Sequence, residues 1–195
     1  MVYPHYFEWE GTPGLIPFVE TREIVRARFI IGHAVYYGMH EVIREPCQYV
    51  IFLREPLERM ESLFNHLRIL DAKVGNPPQE FDEWFEKYKI ATQVWSIDKT
   101  TPSLSRAKEI LEKTSFVGLQ ESFQEDVRQL LPQCNWTVMR NSRETWATQL
   151  GIPSVVFTPE QRKRVEAVLA DDYELYAFAN RLRNEGHNKG FHFPL

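Results

Sequence analysis

Residues 49–67, reading YVIFLREPLERMESLFNHL, join a strand to a helix with almost nothing between them. Tyr49 to Leu53 is a nearly continuous apolar run, as expected for a strand buried on both faces of a parallel sheet. Arg54 closes it. Pro56 follows, where a fixed φ and a missing N–H suit the first helical residue. Leu57, Met60, Leu63, Phe64, Leu67 and Leu70 then recur at helical spacing and predict one apolar face. Glu55, Arg59, Ser62 and His66 form a polar stripe along its edge. The carboxyl end of a parallel strand beside a helix N-terminus is where α/β proteins bind anions. The junction therefore reads as a phosphate site. The plainer alternative is an ordinary strand-turn-helix with Arg54 in a salt bridge and Ser62 and His66 solvated.

A chain of 195 residues, 43% apolar and 26% charged, has the size and composition of one globular domain with a sizeable core. Its net charge of −4 argues against a general nucleic-acid binder, which needs a basic face. No apolar run approaches the length of a membrane span, and no signal-peptide pattern opens the sequence. Cys47 and Cys134 provide neither a disulfide framework nor metal spacing.

In chain order, residues 1–27 read as an irregular lead-in rich in aromatics, Pro and Gly, with a turn at Gly11–Gly14 and a short helix across Glu20–Arg28. Arg28–His33 is a short strand ending in Gly-His. After the central helix, 71–78 reads as a loop, and Phe81, Trp84, Phe85 and Tyr88 give the next helix an aromatic face. Such a stripe is more often core than a sugar-stacking groove. Residues 89–103 carry Trp95 among polar turn residues and hold no decisive pattern. A helix over Ser103–Thr114, a strand over Ser115–Leu119 and a helix over Gln120–Leu131 follow, the last with Phe123, Val127, Leu130 and Leu131 inward. Residues 132–145 form a loop. Thr158-Pro159-Glu160-Gln161 is a capping box opening a helix to about Ala170. Asp171 and Asp172 cap a last helix, Tyr173–Asn184, and His187 and His192 face solvent in the tail 186–195.

The string Arg54-x-Pro56-x-x-Arg59-x-x-Ser62-x-Phe64 resembles the 3′-phosphate motif of sulfotransferases that use 3′-phosphoadenosine-5′-phosphosulfate (PAPS). The carbohydrate branch, including the heparan sulfate 2-O-sulfotransferases, is the most similar. Phe116-Val117-Gly118-Leu119-x-Glu121-x-Phe123 and Leu175-Tyr176-x-Phe178-Ala179 are similar to further segments of that family, in the family's order. The resemblance implies an α/β fold, a P-loop-like parallel sheet flanked by helices, with a sulfotransferase-like domain over 28–185. It implies that Arg54 and Ser62 hold the nucleotide 3′-phosphate. Glu55 stands where the family has Asp. Gly32-His33 lies where the 2-O enzymes have a Gly-His segment, which implies His33 as catalytic base. Histidine suits that task because it ionises near neutrality. A structural histidine capping a strand end is the other reading of His33. Arg59 and His66 are weaker candidates, equally explained as surface residues.

One family element has no counterpart. The loop that cradles the 5′-phosphosulfate, of the form I-P-K-T-x-G-T-S/T, needs a lysine, and none occurs before Lys73. The N-terminus is therefore expected to be atypical or truncated. Two readings stay open: an enzyme transferring a sulfuryl group from PAPS, without a metal, to a hydroxyl on a carbohydrate acceptor; and a non-catalytic module that binds an adenosine 3′,5′-bisphosphate-like anion or a protein partner. A P-loop NTPase or kinase is excluded by the missing Walker motif. Homo-oligomerisation stays open, and the default compartment is the cytoplasm.

Overall fold

The computed structural model describes residues 37–38, 40, 48–98, 101–133 and 153–190. The lead-in 1–27, the strand over Arg28–His33, both cysteines, the loop from residue 134 and His192 lie outside the described residues. What is described is α/β: mostly helical, with a small parallel sheet. Strand β1 (Val50–Leu53) pairs in parallel with β2 (Phe116–Leu119), Val50 opposite Phe116 and Leu53 opposite Leu119. Parallel neighbours require a long crossover. Here it runs through α1 (Pro56–Lys73), α2 (Phe81–Tyr88), α3 (Gln93–Ile97) and α4 (Leu104–Lys113). After β2 come a 3₁₀ turn (Gln120–Ser122), α5 (Phe123–Gln133), α6 (Pro159–Glu166), α7 (Ala170–Asn184) and a closing 3₁₀ turn (His187–Gly190).

The apolar side chains gather in two large clusters. The first joins Leu53 and β2 to α3, α4 and α7 through Val94, Ile110, Leu111, Val117, Leu175 and Phe178. The second joins α1, α2 and α6 through Met60, Phe64, Phe81, Trp84, Phe157 and Val165. The aromatic stripe of α2 is core, as its spacing predicts. Trp84 is wholly buried and packs against the Phe64 and Phe157 rings at centroid distances of 5.0 and 5.6 Å. Leu53 belongs to the first cluster and Leu57 to the second, so the Arg54–Pro56 junction lies on the seam between them.

Several sequence expectations are corrected. Helix α1 runs on to Lys73, three residues into the expected loop. A helix not foreseen, α3, is capped by Thr92, whose hydroxyl accepts from Trp95 N–H at 3.2 Å. Residues 120–122 are 3₁₀, and that tighter turn rotates the following helix relative to an α-helix started at Gln120. Phe123 is consequently 44% exposed instead of inward, while Asp126 and Leu130 are buried. Helix α5 carries Pro132 in its last turn and ends at Gln133, two residues beyond the expected Leu131. The capping box at Thr158 forms as expected, both of its hydrogen bonds present, but α6 stops at Glu166. Helix α7 begins at Ala170 with no side-chain cap. His187 is half-buried and its Nε2 lies 2.6 Å from Thr114 O, so it is not a free surface group.

Candidate functional site

The chain passes from β1 into α1 within two residues, and local chemistry fixes the turn. Glu55 is the N-cap, accepting from Glu58 N–H at 2.7 Å, and Pro56 has no N–H. Cap and proline thus remove two of the first-turn donors that a helix N-terminus usually presents to an anion. An anion at this end would meet side chains and the helix dipole instead.

Arg54 and Ser62, the residues the motif implies, line one cavity of about 610 Å³. Its other wall comes from far along the sequence: Ser154, Val155, Val156 and Arg162. Helix α1 holds that wall by side chains. The Asn65 amide donates to Val155 O at 2.8 Å and accepts from Val155 N–H at 2.7 Å, as a neighbouring strand would. Glu61 accepts from Phe157 N–H at 3.2 Å and from Arg162 at 3.0 Å. Arg162 and the 153–157 wall had no signal in the sequence, because only the fold brings them to α1.

Two guanidiniums and three carboxylates, Glu55, Glu58 and Glu61, line the cavity. Most of these charges are engaged. Glu61 holds Arg162, and Glu55 caps the helix and accepts from the Tyr173 hydroxyl. Among the described residues Arg54 forms an ion pair only with Glu58, at 3.5 Å, with both side chains at least a third exposed. Its Nε is buried and has no hydrogen-bond partner among the described residues. An exposed ion pair of this kind stabilises by at most about 1 kcal/mol, less than a charge-assisted, bidentate Arg–phosphate contact. A phosphate entering the cavity can therefore displace Glu58. The donor set suits a small anion.

The other residues on the stripe separate. Arg59 turns away from the cavity and into the protein, donating to Ala91 O at 2.6 Å and to Ser96 Oγ at 3.2 Å. Burial pulls its pKa down, and the Asp172 carboxylate opposes that shift. His66 is exposed and is not among the cavity-lining residues. His33 lies outside the described residues.

Asp172, expected to cap α7, instead caps α3. Its carboxylate accepts from Gln93 N–H at 2.7 Å and Val94 N–H at 2.9 Å. Burial pushes its pKa up, against the two backbone hydrogen bonds and Arg59. A sequence signal existed. Asp172, Leu175 and Ala179 fall on one helical face, and a carboxylate on a buried face requires partners. Gln93 in turn clasps the Arg54 backbone, accepting from its N–H at 2.9 Å and donating to its C=O at 2.8 Å. Glu121 accepts from Glu55 N–H and from the Tyr176 hydroxyl, each at 2.8 Å, so it braces the same turn.

No protein-family model, curated protein or solved structure matches the chain. Among the described residues, no group of three or more His, Cys, Asp or Glu is placed to hold a metal ion, and no helix is long and apolar enough to cross a membrane.

Proposed function

We propose that the cavity between α1 and the 153–157 segment binds the 3′-phosphate of an adenosine 3′,5′-bisphosphate-type nucleotide, in a sulfotransferase-like domain. One observation supports this reading above others: Arg54, at the carboxyl end of β1, and Ser62, two turns into the following helix, line the same cavity, and Arg54 Nε is buried with no hydrogen-bond partner among the described residues. The transfer step comes from the motif resemblance. In it, an acceptor hydroxyl attacks sulfur, His33 takes the hydroxyl proton, and the S–O bond to the nucleotide phosphate breaks. The acceptor class is a carbohydrate hydroxyl. A second reading, binding without transfer, is favoured by the sequence having no lysine before Lys73 to stabilise the leaving phosphate.

Calorimetric titration of the 195-residue chain with adenosine 3′,5′-bisphosphate, beside 5′-AMP, tests the site. The bisphosphate binds more tightly, and Arg54→Ala lowers its affinity about ten- to a hundredfold while leaving 5′-AMP unchanged. Glu58→Gln raises it by about two- to fivefold, because the competing carboxylate is gone. An Arg54→Ala chain that keeps its full preference for the bisphosphate overturns the assignment. Sulfuryl transfer from PAPS to a glycan acceptor, lost in His33→Ala with nucleotide binding intact, separates enzyme from binding module.

A further inference from the structure

Arg54, directly after β1, pairs with no strand among the described residues; a side chain takes that part. Gln93 is 4% exposed and meets both polar groups of the Arg54 backbone, at 2.9 and 2.8 Å. We infer that Gln93 is a positioning residue for the anion site, and that Arg59 and Asp172 exist to aim it. This rests on the reading of Arg54 as the phosphate ligand.

The segment carrying Gln93 is gripped by opposite charges at two points. Arg59 holds the Ala91 carbonyl and Ser96 Oγ. Asp172, 1% exposed, holds the N–H groups of Gln93 and Val94. Cation on carbonyl and anion on amides match the polarity of each backbone group. Together they fix the start of α3 against α1 and α7. Gln93 then has one course, across to Arg54. The motif arginine at position 59 thus serves the phosphate indirectly, while Arg54 touches it. A half-buried cation, a buried carboxylate and a buried amide are a costly way to hold a five-residue helix. The placement of the Arg54 Cα, from which a long flexible side chain must reach a small anion, is what the arrangement secures.

The test is a double-mutant cycle, read as the affinity ratio of adenosine 3′,5′-bisphosphate to 5′-AMP, on the full chain with wild type, Arg54→Ala, Gln93→Ala and the double variant. Gln93→Ala is expected to lower the ratio about tenfold in the wild-type background, the scale of one or two lost neutral hydrogen bonds, and to do nothing further once Arg54 is gone. An equal loss in both backgrounds means Gln93 acts on general stability, and an unchanged ratio means it does not position the site; either overturns the inference. An Arg54→Ala chain with an unaltered ratio instead defeats the phosphate assignment itself, so the two failures are distinct. If Gln93→Ala does not fold, Gln93→Glu runs the same cycle, keeping an acceptor for Arg54 N–H and losing the donor to Arg54 O. Its ratio must fall in the wild-type background only.

Discussion

The Tyr173 hydroxyl sits beside the Glu55 carboxylate, within the turn that presents Arg54, and this contact has a pH signature. Burial first, then the neighbouring Glu55 charge and the hydrogen bond to it, pushes the phenol from 10.0 up to about 12. Tyr176, likewise half-buried and donating to Glu121, shifts in the same direction. A group whose folded pKa is raised gives its full stabilisation below the unfolded pKa and loses it as pH rises through the folded one. For Tyr173 the window is therefore pH 10 to about 12. The midpoint of thermal unfolding should fall across that range, and Tyr173→Phe should make the fall shallower without altering the curve near neutrality. Identical alkaline slopes in the two proteins would show that the phenol is not held by Glu55.

At the scale of elements, the close pairing of β1 and β2 depends on one glycine. A Cβ at Gly118 would lie 2.3 Å from Phe52 Cε1, well inside contact distance. The Phe52 ring cannot simply withdraw, because Phe123 and Phe116 flank it at 5.1 and 6.1 Å. Gly118→Ala should therefore cost about 1–3 kcal/mol by overpacking, measured by denaturant unfolding. Phe52→Leu in the same chain should recover part of that cost; simple additivity of the two changes would sink the explanation. Elements such as these were legible because their signals are local. The apolar run of β1, the Pro56 start, the Thr158 capping box and the aromatic period of α2 each depend on residues a few positions apart. Where the reading went wrong, the cause was a contact made at long range or a change of helical pitch. Phe123 points outward because a 3₁₀ turn altered the phase before it. Asp172 looked like the cap of its own helix, yet it serves a helix 78 residues earlier. No local pattern distinguishes those two uses of an aspartate near a helix start. The candidate site divides in the same way: Arg54 and Ser62 belong to one local motif, whereas Gln93, Asp172 and Arg162 join it only through the fold.

For the molecule as a whole, the cavity depends on two apolar clusters that meet at its edge. Phe157 is 3% exposed and its ring packs on Phe64, Phe81 and Trp84 at 5.7, 5.2 and 5.6 Å, so it anchors the 153–157 wall to the second cluster. Ile110, also fully buried, belongs to the first cluster and touches no part of that wall. Truncating either to alanine should destabilise the protein by a similar amount, about 3–5 kcal/mol for Phe157 and about 2–5 for Ile110. Their effects on ligand binding should nevertheless differ. Losing Phe157 loosens Val155 from the core and leaves Asn65 and Glu61 to hold the wall alone, which widens the cavity facing Arg54 and Ser62. Losing Ile110 leaves both walls attached. Measured well below both unfolding midpoints, the affinity for adenosine 3′,5′-bisphosphate should therefore drop in Phe157→Ala and stay near wild type in Ile110→Ala. Equal affinities in the two variants would mean the wall plays no part in binding, and the ligand would then be held from α1 and the β1 turn alone.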